Sequence, residues 1–285
     1  MAAFTLQEVE KATGGRLLYP VVDDAVFSQV ETDTRAITAG ALFVALRGET
    51  FDGHDYVLQA EKQGASGAIV AEDRPEYRKG GFAVIIVPDT RKAYQDLARF
   101  HRRRFSIPVI AVTGSVGKTS TRSMIAAVLS QKYRVLQTEK NFNNEIGLPK
   151  TLLQLTPEHE ACVVEMGMRG LGQIAELAAI AEPDIGVVTN VGKSHIELLG
   201  SQENIARAKS ELVQALSADG IAILNQDDSY VAAMADLCRG KVVGYGITSN
   251  AAIRASRVVC SEKGLPVLRS GHGYPHAAHW QPQCL

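Results

Sequence analysis

A short glycine-containing segment between an apolar run and a helical pattern constrains the fold of this chain more than any other feature. Its residues are Thr113, Gly114, Ser115, Val116, Gly117, Lys118, Thr119 and Ser120. Two glycines let the backbone curl until its N–H groups point at one anion, and the N-terminus of the following helix adds a partial positive charge. The segment predicts a phosphate-binding loop, in which Lys118 reaches the β- and γ-phosphates of a nucleotide and Thr119 offers a hydroxyl to Mg²⁺.

The alternation of apolar runs with helical patterns predicts the fold around this loop. The apolar runs are 107–112, 161–164, 185–189 and 221–224, and the helical patterns are 118–132, 172–181 and 202–217. Near-continuous apolar strands that alternate with helices indicate a parallel sheet covered on both faces. We therefore predict an α/β chain with a small N-terminal α/β domain over 1–88. A doubly wound, mostly parallel P-loop sheet domain over 89–268 follows it.

Composition excludes several functional classes. The chain has 285 residues, a net charge of −1 and an apolar fraction of 46%, so charge indicates neither nucleic-acid binding nor attachment to a membrane surface. It has no run of ~18 apolar residues, which predicts no membrane insertion. Four sparse cysteines and no apparent secretory signal predict a cytoplasmic protein. The pattern 89–105 predicts a helix that Asp89 can cap, and the basic run 99–104 at its end is interpreted as a solvated face.

Two polar side chains follow apolar runs, at the edge where open parallel sheets bind ligands. Glu165 comes directly after the run 161–164, so its carboxylate can hold Mg²⁺ beside the phosphates. The alternative for Glu165 is a surface acid at the end of a strand. His195 follows the run 185–189 through a short loop and can present a neutral ring nitrogen to a metal. The alternative for His195 is a structural role.

The helical pattern 202–217 carries a lysine on its apolar stripe. Lys209 lies four residues after Ile205, three before Leu212 and four before Val213, so it is expected to face inward. Burial lowers the pKa of a lysine, and a partly neutral lysine can react with CO₂ to form a carbamate, an anion able to bind Mg²⁺. The alternative is a lysine at the edge of the stripe that extends its ammonium into solvent.

Several segments together resemble the Mur ligases and the similar folylpolyglutamate synthases. The loop has the shorter pattern G-x-x-G-K-T, since Val112 stands where the longer pattern has a further glycine. The segment Thr138–Pro149 is similar to the Mur ligase that adds D-alanyl-D-alanine to UDP-N-acetylmuramoyl-tripeptide. The segments Thr32–Arg35 and Gly40–Gly48 resemble the uridine-nucleotide domain of these enzymes, and Phe51–His54 fits the same member as Thr138–Pro149.

The resemblance implies a role for each matching residue. Those that would bind ATP are Gly114, Ser115, Val116, Gly117, Lys118, Thr119, Ser120 and Asn144, the last facing the γ-phosphate. Those that would bind the uridine diphosphate are Thr32, Arg35, Arg47 and Gly48. Those that would hold Mg²⁺ are Thr119, Glu165, His195 and a carbamylated Lys209. The catalytic set would be Lys118, Lys209, Glu165 and His195.

The resemblance also implies a reaction. The terminal carboxylate of the UDP-sugar tripeptide would attack the γ-phosphate of ATP to give an acyl phosphate, with catalysis mainly by positioning and electrostatics. The amine of D-alanyl-D-alanine would then displace phosphate and leave an amide. We expect a monomer.

The end of the chain and two alternatives complete the sequence-based interpretation. The family has a third, C-terminal domain, which we expect to be absent here. We expect 269–285 to be an aberrant tail from a reading-frame slip or a clone end; a metal site from His272, His276, His279 and Cys284 is the alternative. The functional alternatives are a nucleotide- and UDP-sugar-binding fragment without full ligase turnover, and a neighbouring Mur ligase or a folylpolyglutamate synthase-like enzyme.

Overall fold

The structure, a computed structural model, describes residues 2–19, 25–79, 82–194, 196–256 and 268–269. The strands are β1 Phe4–Thr5, β2 Arg16–Leu17, β3 Val26–Phe27, β4 Gln29–Glu31, β5 Ala41–Val44, β6 Gly67–Val70, β7 Ala83–Ile86, β8 Val109–Thr113, β9 Val135–Gln137, β10 Ala161–Glu165, β11 Ile185–Val188, β12 Ile221–Asn225, β13 Lys241–Gly246, β14 Ile253–Ser256 and β15 Leu268–Arg269. The α-helices are α1 Leu6–Thr13, α2 Val57–Lys62, α3 Thr90–Arg102, α4 Lys118–Leu129, α5 Gly147–Leu152, α6 Gln173–Ala181, α7 Ile196–Leu199, α8 Gln202–Ala215 and α9 Ser229–Ala232.

The chain forms two compact units. The first comprises Met1–Val109, Arg122–Met166 and Glu176–Glu182, and the second comprises Ile110–Thr121, Gly167–Ala175 and Pro183–Leu285. The proposed domain boundary near Pro88 and the domain roles given to 1–88 and 89–268 stay predictions. His195 and nearly all of the expected tail 269–285 lie outside the described residues, and so do His272, His276, His279 and Cys284.

The first unit contains a five-stranded sheet in the order β2-β7-β6-β5-β4. Strands β4 to β7 run parallel, and β2 joins the edge antiparallel to β7. Every residue of β5 and β6 is buried, as expected for parallel strands covered on both faces. Helix α3 begins after Asp89, whose carboxylate accepts hydrogen bonds from the N–H groups of Arg91 at 2.8 Å and Lys92 at 3.1 Å. The predicted α/β character of residues 1–88 and the helix cap at Asp89 are confirmed.

The second unit contains parallel strands in the order β8-β11-β12-β13-β14, and β15 pairs antiparallel to β14. Helix α8 packs closely on this sheet, because Gly186 of β11 has no side chain where a Cβ would lie 3.2 Å from Cγ of Leu212. The predicted parallel sheet around the glycine-containing loop is confirmed. Its strands end near the loop, which positions the candidate site of this unit.

The basic run at the end of α3 differs from its prediction as a solvated face. His101 and Arg102 are buried, so that interpretation was wrong for both. The guanidinium of Arg102 donates to the carbonyl oxygens of Ala181 at 3.0 Å and Phe105 at 2.7 Å. The first bond satisfies a carbonyl at the end of α6, and the second satisfies one just after α3, so the buried guanidinium contributes hydrogen bonds to packing instead of a solvated charge. Within the described residues, no helix is long and apolar enough to cross a bilayer.

Candidate phosphate loop, acidic strand end and pocket

The predicted phosphate loop joins β8, which ends at Thr113, to α4, which begins at Lys118. Gly114 and Gly117 have φ angles of +151° and +82°, which side chains rarely tolerate. A Cβ at Gly114 would also lie 1.8 Å from Oγ1 of Thr189, so this position needs glycine for a close approach as well as for its backbone angle. The predicted order of strand, glycine loop and helix is confirmed.

The ammonium of Lys118 folds back over the loop. Its Nζ donates to the carbonyl oxygen of Gly114 at 2.9 Å and to that of Ser115 at 3.3 Å. Thr119 and Ser120 stand in the first turn of α4, where N–H groups and the helix dipole favour an anion. A positive charge, a curled glycine backbone and a helix N-terminus thus occupy one place, and this set of groups fits the phosphates of a nucleotide.

Lys209 lies in the same unit, on α8. The Ser201 side chain caps this helix by accepting a hydrogen bond from the N–H of Asn204 at 3.1 Å. Lys209 is only 3% exposed, which confirms the inward orientation and rules out an ammonium extended into solvent. Burial, and secondarily the positive charge of Lys118, lower the pKa of Lys209 to about 7. Near neutral pH a large fraction of this side chain is therefore a neutral amine, the form that reacts with CO₂.

Two polar residues after the apolar part of β12 support the second unit's site and were missed from the sequence: Asn225, which ends the strand, and Asp228, the N-cap of α9. The Nδ2 group of Asn225 donates to the carbonyl oxygen of Thr189 at 2.9 Å. The carboxylate of Asp228 accepts a hydrogen bond from the N–H of Val191 at 2.7 Å. Both residues follow the apolar run 221–224, so the rule that selected Glu165 would have found them.

Glu165 ends β10 in the first unit. It is 2% exposed, so the alternative of a surface acid is wrong. Its Oε1 accepts a hydrogen bond from Nδ2 of Asn143 at 2.8 Å, and its N–H donates to Oγ1 of Thr138 at 3.0 Å. The carbonyl oxygen of Thr138 in turn accepts a hydrogen bond from the buried guanidinium of Arg122. A buried carboxylate held in this way is a hard oxygen ligand of the kind that Mg²⁺ prefers.

Asn144 belongs to the first unit as well. Its side-chain oxygen accepts a hydrogen bond from the N–H of Gly147 at 2.8 Å, at the start of α5. Its predicted role at the γ-phosphate stays a prediction, and so do the metal-binding roles of Thr119, Glu165 and Lys209. In the part of the chain that the structure describes, no group of three or more His, Cys, Asp or Glu side chains could hold a metal ion.

A pocket of about 550 Å³ opens in the first unit, beside the end of β4. Its lining residues are Thr32, Asp33, Thr34, Arg35, Phe43, Phe51, Gly53, Tyr56 and Gln59. The guanidinium of Arg35 is oriented by Asp33, with Nε–Oδ1 at 2.9 Å and Nη2–Oδ2 at 2.6 Å. These bonds hold the pKa of Asp33 near 2, so the pair stays ionised at neutral pH. The pocket includes two of the four residues predicted to bind the uridine diphosphate.

The other two predicted residues have a different environment. Among the described residues, Arg47 and Gly48 do not line the pocket. The guanidinium of Arg47 instead pairs with Asp52 at 2.8 Å and with Glu72 at 3.2 Å. The exposed rings of Phe51 and Tyr56 line the pocket and were not assigned from the sequence. Large aromatic side chains in a polar stretch were the signal that could have identified them.

Comparison with known families matches most of the chain. Residues 26–102 match the family described as "Mur ligase family, catalytic domain". Residues 112–278 match the family described as "Mur ligase middle domain". These two matches include the pocket residues and the phosphate loop.

Individual relatives agree with the family match. The UDP-N-acetylmuramoyl-tripeptide--D-alanyl-D-alanine ligase of Synechocystis is 51% identical over 227 residues, which are 79% of this chain and 50% of that protein. The crystal structure of MurF from Acinetobacter baumannii superposes with a TM-score of 0.87 at 30% identity, covering 93% of this chain and 58% of that one. MurF from Thermotoga maritima in complex with ADP gives a TM-score of 0.77 at 29% identity, covering 84% and 55%. The chain thus spans about half the length of the curated relatives it matches.

Proposed function

We propose, since this chain belongs to the Mur ligase family, that it carries the nucleotide-binding parts of an ATP-dependent ligase that joins UDP-N-acetylmuramoyl-tripeptide to D-alanyl-D-alanine. This is the activity named for the relative that is 51% identical. The observation that carries the proposal is the phosphate loop, in which the Lys118 ammonium lies on the carbonyls of Gly114 and Ser115. The reaction belongs to the synthesis of peptidoglycan precursors.

The uridine nucleotide is proposed to occupy the pocket that Thr32 and Arg35 line. A guanidinium oriented by Asp33 offers a planar set of donors to a diphosphate, and the aromatic rings offer faces to a base. Arg47 and Gly48 would act from the adjacent loop. The pocket volume of about 550 Å³ is in the range of small-molecule sites.

The chemistry begins with a poor acylating agent, because the oxygen of a carboxylate is a bad leaving group. An oxygen of the tripeptide carboxylate attacks the γ-phosphorus of ATP, the bond to the β-phosphate oxygen breaks, and ADP leaves. The amine of D-alanyl-D-alanine then attacks the acyl carbon, phosphate leaves, and the nitrogen loses a proton. Lys118 stabilises the charge that moves between the β- and γ-phosphates, while the glycine loop holds the nucleotide in line.

The metal-binding residues are proposed to be Thr119, Glu165, His195 and Lys209. Mg²⁺ supplies charge neutralisation at the phosphates when it is bound. The neutral amine of Lys209 would add to CO₂, forming an N–C bond with loss of one proton, and the resulting carbamate would be a further anionic ligand. The pKa of about 7 supports this step. Asn144 is proposed to face the γ-phosphate. A crystal structure with a bound ATP analogue would test each of these assignments separately.

We also propose that the protein works in the cytoplasm as a monomer. The free thiols of Cys162 and Cys238 are compatible with a reducing compartment. Size-exclusion chromatography with light scattering tests the oligomeric state. Fractionation of cells that express the chain tests its location.

A second candidate function is a nucleotide- and UDP-sugar-binding fragment without full turnover, because the glycine loop with Lys118 and the pocket lined by Arg35 are features that binding alone requires. Phosphate release with ATP, the UDP-sugar tripeptide and D-alanyl-D-alanine separates the two. Phosphate release that needs both the UDP-sugar tripeptide and D-alanyl-D-alanine supports the ligase. Binding of ATP and the UDP-sugar without release supports the fragment. Loss of ATP binding contradicts both, and competition with other amino acids as acceptors tests a neighbouring ligase.

A further inference from the structure

We propose that Asn190 is a positioning residue that holds the phosphate loop in its binding shape before a nucleotide arrives. The inference rests on the proposed function only in taking nucleotide phosphates as the ligand of this loop. It assigns a task to a side chain that contacts the loop from the end of the neighbouring strand, β11.

Three hydrogen bonds join Asn190 to two consecutive loop residues. Its carbonyl oxygen accepts from the N–H of Ser115 at 3.0 Å. Its side-chain Oδ1 accepts from the N–H of Val116 at 2.9 Å, and its Nδ2 donates to the carbonyl oxygen of Val116 at 3.0 Å. Both backbone polar groups of Val116 are thus paired by one carboxamide, a group that combines an acceptor with donors.

The neighbours of Asn190 continue this contact. The Thr189 hydroxyl also donates to the carbonyl oxygen of Val116, at 2.8 Å. The N–H of Gly192 donates to Oγ of Ser115 at 2.8 Å. We call the segment Thr189–Gly192 the brace, because several of its residues form hydrogen bonds with Ser115 and Val116 of the loop.

Hydrogen bonds, and not side-chain burial, must fix this part of the loop. The side chain of Val116 stands at the loop tip and is 64% exposed, so it contributes little apolar burial. The closely spaced glycines on either side widen the conformations open to the free backbone. Without the brace, a loop of this composition would sample many shapes, and nucleotide binding would have to select one of them.

The brace is itself anchored to other elements of the second unit. Asn225, at the end of β12, donates to the carbonyl oxygen of Thr189 at 2.9 Å. Asp228 accepts from the N–H of Val191 at 2.7 Å, and Gln202 of α8 donates to the carbonyl oxygen of Val191 at 2.7 Å. A fixed support can transmit its geometry to the loop, so the arrangement is suited to preorganisation.

The hydrogen bonds to Asn190 also give the N–H groups of the loop different proposed roles. Those of Ser115 and Val116 are already donated to Asn190. In the proposed role they maintain the shape of the loop, and the anion is received by other groups of the segment. Ser115 and Val116 were assigned to direct nucleotide binding from the sequence, so this inference refines that assignment.

The test compares three variants of the full chain without nucleotide and with ADP. Asn190→Ala removes the carboxamide, whereas Asn190→Asp keeps an acceptor for the Val116 N–H and loses the donor to its carbonyl. Asn204→Ala is the matched control, because Asn204 lies in the same unit and its Nδ2 donates to the carbonyl oxygen of Leu199 at 2.7 Å. Amide hydrogen exchange at Ser115 and Val116 reports loop shape, calorimetry reports ADP affinity, and urea unfolding reports global stability.

We expect Asn190→Ala to accelerate exchange at Ser115 and Val116 in nucleotide-free protein and to weaken ADP binding about tenfold, as the loss of two hydrogen bonds predicts. Asn190→Asp should retain protection at Val116 better than Asn190→Ala does, and Asn204→Ala should leave both amides unchanged. Unchanged exchange in Asn190→Ala, or equal acceleration throughout β8 and β12, would overturn the inference. Failure of the unaltered chain to bind ADP would reject the proposed function, while the nucleotide-free exchange data would still decide the role of Asn190.

Discussion

The positive charge of Lys118 helps to lower the pKa of the buried Lys209 side chain in the same unit. Burial is the larger cause and the charge of Lys118 the second, and together they lower the pKa of Lys209 to about 7. A large fraction of Lys209 is therefore a neutral, nucleophilic amine near neutral pH. The proposed reaction of Lys209 with CO₂ needs this form.

Stability should depend on pH through Lys209. Its pKa is 10.5 when exposed and about 7 in the folded chain, so the unfolded chain binds more protons between these values. The free energy of unfolding should rise with pH across this window, and the destabilisation is complete below about pH 7. At about 1.4 kcal/mol per pH unit, the penalty near neutral pH is at most roughly 5 kcal/mol. Lys209→Met should remove it, so that the variant is more stable at pH 6.5 and the difference shrinks by pH 9.5.

Urea unfolding in CO₂-free buffer, at steps between these two pH values, measures the effect. Lys132→Met, a change at an exposed lysine, is the control and should parallel the unaltered chain. Profiles of Lys209→Met and the unaltered chain that stay parallel would show that burial of this ammonium costs nothing.

Carbamate formation at Lys209 should be detectable directly. In buffer with ¹³C-labelled bicarbonate, the unaltered chain should give a carbamate carbon signal that Lys209→Arg lacks, because the guanidinium stays protonated. The signal should decrease as pH falls below about 7, where the amine is protonated. A signal of the same intensity in Lys209→Arg would assign the carbamate to another amine.

Loss of the loop lysine should weaken nucleotide binding. Lys118→Ala removes a charged donor to phosphate, and such hydrogen bonds contribute about 1.5–3 kcal/mol, so the Kd for ATP should rise about 10- to 100-fold. Release of ADP that depends on the acceptor peptide should disappear. Calorimetry measures the first effect and a coupled assay the second. Retained turnover in Lys118→Ala would contradict the mechanism.

The substitution Glu165→Gln should weaken Mg²⁺-dependent ATP binding while leaving the fold stable. The glutamine oxygen can still accept the hydrogen bond from Asn143, so thermal stability should change little. ATP binding with Mg²⁺ should weaken towards the level seen in EDTA, because a neutral amide is a poorer Mg²⁺ ligand than a carboxylate. The exposed Glu158→Gln serves as a control. Equal Mg²⁺ dependence in all three proteins would remove Glu165 from the metal site.

Two arginines of the first unit should contribute differently to the affinity for UDP. Arg35→Ala should raise the Kd for UDP about tenfold, since Arg35 lines the pocket and loses a charge-assisted contact. Arg47→Ala should have a smaller effect, because its guanidinium is engaged by Asp52 and Glu72. Isothermal titration with UDP measures both. A larger loss in Arg47→Ala would contradict the proposal that UDP binds in the pocket that Arg35 lines.

Local patterns predicted much of the fold. The strand before Gly114, the helix from Lys118, the cap at Asp89 and the inward side of Lys209 all follow from residues a few positions apart. Glu165 was found by its place after an apolar run, although the two hydrogen bonds that hold it could not be anticipated. The burial of Arg102 was missed, because a run of basic residues has no local feature that reveals a distant carbonyl.

Glycine spacing and apolar periodicity alone determined that this chain would form a phosphate loop on a parallel sheet, since backbone curvature and helix or strand period are encoded over a few residues. The tertiary structure decided what holds that loop. Asn190 reaches Val116 across 74 residues of sequence, and Arg102 reaches Ala181 across 79. Such pairings depend on which strands become neighbours, and that order arises only when the whole sheet assembles and buries its polar groups in mutual hydrogen bonds.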